Sequence, residues 1–268
     1  MSWTKWSHQR ITLTFILTLV LVGFTGSSTR LWAKPAIFLA DAPKQALEYE
    51  PPPRGAPGDR KDGGRRRFCP ETRKPFTALG PATNWGETVA EHPTFWLYVP
   101  YQSASVELVL YDEENNYTDP YRTTFQVTEG PGIISFRLPP TAPLLKVGRM
   151  YRWQFFFFCN PTSQSDFLSV SGVVVRVEPS SKLMSQLEAA KTPRERVIVY
   201  AKNGLWHETL SELAELRRAN PQDAELATDW AALLQHPVVR LEEMVSEPLV
   251  PCCTSERSNT SNAEDTAQ

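Results

Sequence analysis

The chain has 268 residues, 41% hydrophobic and 11% aromatic, which is enough to bury one large core or two small ones and excludes a globally disordered chain. Lysine and arginine (28) nearly balance aspartate and glutamate (30), and the formal charge of −2 gives no overall attraction to nucleic acid or an anionic membrane. Any electrostatic partner must therefore be sought in local clusters, and no nucleic-acid partner is expected.

Residues 1–33 read as a signal peptide. Lys5, His8 and Arg10 precede the largely apolar run ITLTFILTLVLVGF at 11–24, and small polar residues follow. That run is shorter than the roughly 20 apolar residues a spanning helix needs, so cleavage near Leu31-Trp32-Ala33 is expected, leaving no stable membrane span. The predicted location is periplasmic or secreted, where thiols oxidise.

Residues 34–67 are expected to be a disordered linker. YEPPPRGAPGDRKDGGRRR is rich in chain breakers and too poor in apolar side chains to offset its ordering entropy. Arg65, Arg66 and Arg67 stand together just before the first cysteine and form a candidate anion-binding cluster for a wall polymer, a lipid headgroup or a protein.

Residues 68–179 are expected to form a β-sandwich domain, and from Phe76 to Glu178 the hydrophobic period is two. FWLYVPY (95–101), SVELVLYD (105–112), TTFQVTE (123–129), GIISFRLP (132–139), MYRWQFFFFC (150–159) and SVSGVVVRVEP (169–179) predict short strands separated by turns, as in a β-sandwich. In the fifth run Tyr151, Trp153, Phe155, Phe157 and Cys159 share the inner face. Gly148, three residues before Tyr151, suggests the tyrosine corner of immunoglobulin-like sandwiches.

The cysteines are Cys69, Cys159, Cys252 and Cys253. No C-x-x-C or H-x-x-x-H spacing suggests a metal site, and a thiol at the end of a very apolar strand would be poorly ionised as a nucleophile. In an oxidising compartment Cys69 is expected to pair with Cys159, closing a loop of about 90 residues and constraining the unfolded chain by about 4 kcal/mol. Cys252 and Cys253 fall in a polar tail.

Residues 180–245 turn helical. Helices are predicted over Lys182–Glu188, from Pro193 to the Asn203-Gly204 stop, from there to Asn220-Pro221, and through AELATDWAALLQH. Gly204, Trp206, Leu213, Leu216 and Pro221 fall where a tetratricopeptide repeat places its turn and packing residues, although Thr209 replaces the usual alanine. Trp206, Leu210 and Trp230 are the candidate partner-binding residues on this hairpin. Residues 246–268 are expected to be a disordered tail.

Chemistry is harder to find. The four histidines, His8, His92, His207 and His236, belong to no nucleophile or metal motif, and His207 and His236 are placed on helix surfaces. No glycine-rich phosphate loop, G-x-S-x-G or zincin helix is present, so neither cofactor nor catalytic residue nor metal site is predicted. The turn DEENNYTD offers Asp112, Glu114, Asn116 and Asp119 as calcium oxygens, weighed against a solvated hairpin. Trp85, Trp96, Tyr101, Tyr117 and Tyr121 offer a sugar-stacking face if they are exposed.

The segments GAPGDRKDGGRRRFCP, TALGPATNWGETVAEHPTFWLYVPY, LPPTAPLLKVGRMYRW, GVVVRVEP and GLWHETLSELAELRRANPQDAELATDWAALL, in that order, resemble an exported cyanobacterial family of a domain of unknown function, number nine-two-eight. The resemblance implies an exported protein with a β-rich domain and a helical C-terminus, and carries no activity with it. Three arginines stand at 65–67 where that family often has a threonine. The expected fold is α+β: a mainly antiparallel, immunoglobulin-like β-sandwich followed by a tetratricopeptide-like α-helical hairpin. The expected function is an exported, non-enzymatic binding or envelope-assembly module whose partner is an envelope protein or polysaccharide. The alternatives are a glycan-binding module and a cell-wall or glycan hydrolase whose carboxylates converge only in three dimensions.

Overall fold

The computed structural model describes residues 45–62, 69–115, 118–160 and 165–255. In chain order the strands are β1 (Thr77–Ala78), β2 (Trp85–Thr88), β3 (Thr94–Val99), β4 (Ala104–Asp112), β5 (Tyr121–Val127), β6 (Gly132–Arg137), β7 (Met150–Phe158), β8 (Phe167–Arg176) and β9 (Thr254–Ser255). The helices are α1 (Ser181–Ala189), α2 (Pro193–Lys202), α3 (Trp206–Ala219) and α4 (Ala224–Gln235). The fold is mixed α+β. Its sheets are a three-stranded β1-β3-β6 and a six-stranded β2-β8-β7-β4-β5-β9, antiparallel throughout except for the β2–β8 pair.

The predicted alternation appears most cleanly in β7, where Tyr151, Trp153, Phe155 and Phe157 are buried and their neighbours are half-buried. These side chains face Phe95, Leu97, Val99 and Ile134 of the smaller sheet, forming one apolar core. Each such buried aromatic stabilises by about 1.5–3 kcal/mol. The other face of the smaller sheet carries Trp96, Tyr98 and Ile133 into a second core with α2, α3 and α4. The smaller sheet is thus the middle of three layers, with apolar packing on both faces.

Three of the four helices begin where short polar side chains cap them. Ser180, Thr192 and Asp223 each accept a backbone N–H in the first turn of α1, α2 and α4. Gly204 ends the α2 region at φ +71°, a backbone conformation that glycine adopts without cost. Among the described residues no helix is long and apolar enough to cross a membrane.

Two segments differ from expectation. Residues 45–62, expected within a disordered linker, form an ordered strap. Leu47 and Tyr49 are buried in the helical core, and Glu50 N–H donates to Ala201 O at 3.0 Å. Asp59 accepts Ser171 N–H on its carbonyl at 2.8 Å, and Asp62 N–H donates to Phe76 O at 3.0 Å. Long-range backbone partners order this stretch where its own composition does not. Residues 246–255, expected within the tail, are also ordered. Ile133 N–H donates to Pro248 O at 2.8 Å, Val250 N–H donates to Ile133 O at 2.9 Å, and β9 pairs with β5. The signal region 1–33 lies outside the described residues.

Cys69 and Cys159 form the expected disulfide, with Cα atoms 5.3 Å apart, against the rim of the sandwich core. Cys252 and Cys253 are joined as a second, vicinal pair packed against the same core.

Candidate functional site

Two distant sequence segments meet where α3 rests on the sheets. Trp206 donates its indole N–H to Leu79 O at 3.0 Å, and the His207 ring bonds Thr94 O through Nδ1 at 3.0 Å. Gly86 lies against His207 so closely that a Cβ there would meet Nε2 at 2.7 Å, so no larger residue fits. Burial pushes His207 down to about 4, so the ring is neutral near pH 7. Glu208 reaches the end of β2, where its Oε1 accepts Thr88 O–H at 2.6 Å and the N–H groups of Val89 at 3.0 Å and Ala90 at 3.2 Å. Burial pushes its carboxyl above the ordinary range against these donors. Trp206 and His207 are buried and Glu208 is half-buried, and the cluster acts as a joint between the helices and the sheets.

His207 therefore corrects the expectation of a surface position. The buried arc of α3 spans Trp206, His207, Thr209, Leu210, Leu213 and Ala214, because the helix is covered by the sheet and by neighbouring helices together. Trp206, Leu210 and Trp230, the candidate partner-binding residues, are 2%, 1% and 0% exposed. They have no outward surface. Large apolar residues at helical spacing marked the inward stripe.

The aromatic platform is likewise absent among the described residues. Trp85 and Trp96 are buried, Tyr101 stacks on Phe157 at 4.9 Å between ring centres, and Tyr121 is half-buried at the strand start. Tyr117 lies outside the described residues, as do Arg65, Arg66 and Arg67. The acidic turn is an arginine clamp instead of a calcium loop. Arg149 donates to Asp112 and Glu114, both at 2.7 Å, and Arg152 donates to Glu113 at 2.6 Å. Carboxylates already matched by guanidinium groups have little left for a cation. No group of three or more metal-ligating side chains occurs among the described residues.

A cleft of about 640 Å³ opens between the smaller sheet and the helices. Thr94, Ser135 and Arg137 form its floor, and Ser211, Glu212, Glu215 and Leu216 of α3 form its wall. Pro193 and Arg196 of α2 form the rim. The site follows from strand parity: Ser135 and Arg137 share the helix-facing side of β6 with Ile133, but only Ile133 is covered. Trp96 donates its indole N–H to Ser211 Oγ at 2.9 Å, fixing the wall against the floor.

The charges in the cleft are unequally answered. Arg196 pairs with Glu212 at 3.3 Å, and the hydrogen bond to Glu212 is the main cause that raises the guanidinium above its ordinary range. Glu215 pairs with Arg218 at 2.8 Å. Arg218 also lies over the Trp96 ring at 4.9 Å and donates to Val250 O at 3.1 Å. Arg137 is exposed and has no ion-pair partner among the described residues. The cleft therefore offers hydroxyls, neutralised carboxylates and one free guanidinium, an arrangement suited to holding a polar ligand. Sequence reasoning missed it because a gap between layers leaves no periodic signal; the polar residues Ser135 and Arg137 following Ile133 at period two were the available hint.

No curated protein matches the chain. The family model described as Domain of Unknown Function (DUF928) matches residues 61–249, a stretch that takes in β1 to β8, all four helices and every residue lining the cleft, and the chain belongs to that family.

Proposed function

We propose that the protein is an exported, non-enzymatic binding module of the cell envelope, and that the cleft beneath α3 receives an envelope protein or polysaccharide. The observation that carries the reading is the cleft's charge pattern: both carboxylates are held by arginines, and among the described residues Arg137 has no ion-pair partner. Binding needs such a pre-formed polar surface. General acid catalysis needs a carboxyl free to exchange its proton with a substrate atom.

Export is supported by the Cys69–Cys159 disulfide and by the signal-like residues 1–33. The periplasmic or secreted location belongs to this proposal. So do the finer architectural comparisons. The Tyr151 hydroxyl accepts Lys146 N–H at 3.0 Å, as a tyrosine corner would, which supports an immunoglobulin-like sandwich. The α2–α3 turn at Gly204 supports a tetratricopeptide-like hairpin.

The test is affinity capture from envelope extract with the purified protein and with an Arg137→Glu/Arg196→Glu variant. A protein or polysaccharide retained by the first and lost by the second is the expected result. Equal retention by both would remove the cleft from the reading. The hydrolase alternative draws on Glu212 and Glu215, which stand one turn apart on the cleft wall. It predicts release of soluble fragments from purified cell wall, abolished by Glu212→Gln or Glu215→Gln; the binding reading expects no release from any of the three proteins.

A further inference from the structure

The β6 strand is the outer edge of its sheet, and it is only partly covered. Ile133 directs both its N–H and its C=O away from β3, where residues 248–250 bond them at 2.8 and 2.9 Å in a parallel bridge. Backbone direction repeats every second residue in a strand, so Ser135 and Arg137 present their N–H and C=O along the same line. Leu138 N–H, of the opposite parity, turns inward to Pro93 O at 3.1 Å, in keeping with that alternation. Among the described residues nothing bonds the outward backbone groups of Ser135 or Arg137.

The chain's own C-terminal segment leaves this line for identifiable reasons. Arg218 takes Val250 O, the acceptor that the next rung of the ladder would use, and the following residues cross to pair with β5 in the other sheet. The remaining edge runs beside the cleft floor, under the wall of α3. One extended chain entering there continues the parallel course that residues 248–250 begin. Arg137, exposed and without an ion-pair partner among the described residues, adds a demand for negative charge at the end of the edge.

We propose that the Ser135–Arg137 edge is a strand-docking site for an extended segment of a partner protein. The partner's main chain pairs with the outward groups of Ser135 and Arg137, and a carboxylate of the partner lies on the Arg137 guanidinium. This rests on the binding-module reading and narrows its ligand to a polypeptide recognised mainly through its backbone, with acidity as the side-chain requirement.

The experiment uses the purified full chain and a displayed library of random decapeptides. Enriched peptides are synthesised, then N-methylated one position at a time, and their affinities are measured by fluorescence anisotropy. Strand docking expects acidic peptides whose affinity falls at least tenfold for N-methylation at alternate positions and stays nearly unchanged between them. Arg137→Glu is expected to weaken them at least tenfold and to regain affinity when the peptide acid becomes lysine. Affinity indifferent to N-methylation, or to Arg137→Glu, overturns the proposal. Cell-wall glycan fragments, titrated in parallel, separate the two levels: a glycan that binds in an Arg137-dependent way while no peptide is enriched overturns strand docking and leaves the binding module standing, whereas no binder of either kind overturns both. Concentration-dependent self-association lost in Arg137→Glu would assign the edge to a second copy and also overturn the proposal.

Discussion

The two faces of the three-stranded sheet teach different lessons. Toward the larger sheet, Phe95, Leu97, Val99 and Ile134 meet a purely apolar surface in which Phe155 and Phe157 are essentially unexposed. Toward the helices, the sheet contributes Trp96, Thr94 and Leu79, and the contacts are fixed by donors and acceptors: Trp96 to Ser211, His207 to Thr94, Trp206 to Leu79. One interface is specified by shape and burial alone; the other adds to its apolar core directed bonds between residues more than a hundred positions apart. The second holds the larger cleft, because directed bonds keep two surfaces in register without requiring that they fill all the space between them.

That contrast is most severely tested by Phe155→Ala. Removing a fully buried ring from the apolar interface is expected to cost about 3–5 kcal/mol in urea unfolding; a loss under about 1 kcal/mol would mean that the sandwich core is far looser than its burial implies. The polar interface is tested next by acid. His207 is held down to about 4 in the folded protein against an ordinary 6.5, so the unfolded chain takes up the proton first as pH falls. Its contribution is intact above about 6.5 and is lost between there and about 4, on the order of 3 kcal/mol. Glu208 has the opposite sign: its raised carboxyl favours the folded state at low pH, and that contribution is lost as pH rises through its folded value. His207→Asn keeps a donor for Thr94 O and should flatten the acid sensitivity between pH 7 and 4.5. Parallel pH profiles for the two proteins would show that another group governs it.

Smaller effects separate the cleft from the joint. Trp96→Phe removes the indole donor to Ser211 and is expected to cost about 1–2 kcal/mol, read from the shift in urea midpoint. Arg137→Glu should change stability by less than about 0.5 kcal/mol, because its guanidinium has no ion-pair partner to lose among the described residues. A thermal shift as large as that of Trp96→Phe would place Arg137 in the framework instead of the ligand site.

Legibility in the sequence follows the same division. The alternation MYRWQFFFF, the capped starts of α1, α2 and α4, and the Asn203-Gly204 stop that precedes α3 are local signals, so β7 and the four helices could be read directly. The Cys69–Cys159 link could be inferred once an oxidising compartment was assumed. The parallel pairing of β2 with β8 could not, because Trp85–Thr88 is too short to show a period and its partner lies some 88 residues on (Trp85 with Val173). Trp206, Leu210 and Trp230 were identified as important by their spacing, yet spacing distinguishes a face without saying what covers it. The strap at 45–62 and the segment at 248–255 were invisible for a further reason: their order derives from backbone bonds to other elements, which composition does not encode.

Those two segments also constrain how the protein comes into being. One lies near the start of the described chain and spans both cores; the other, nearly at its end, bridges the outer edges of the two sheets. A polypeptide that emerges N-terminus first, from a ribosome or through a translocation channel, cannot complete its architecture until Ser255 is clear. Until residues 248–255 arrive, the β5 and β6 edges of the two sheets stay unsealed.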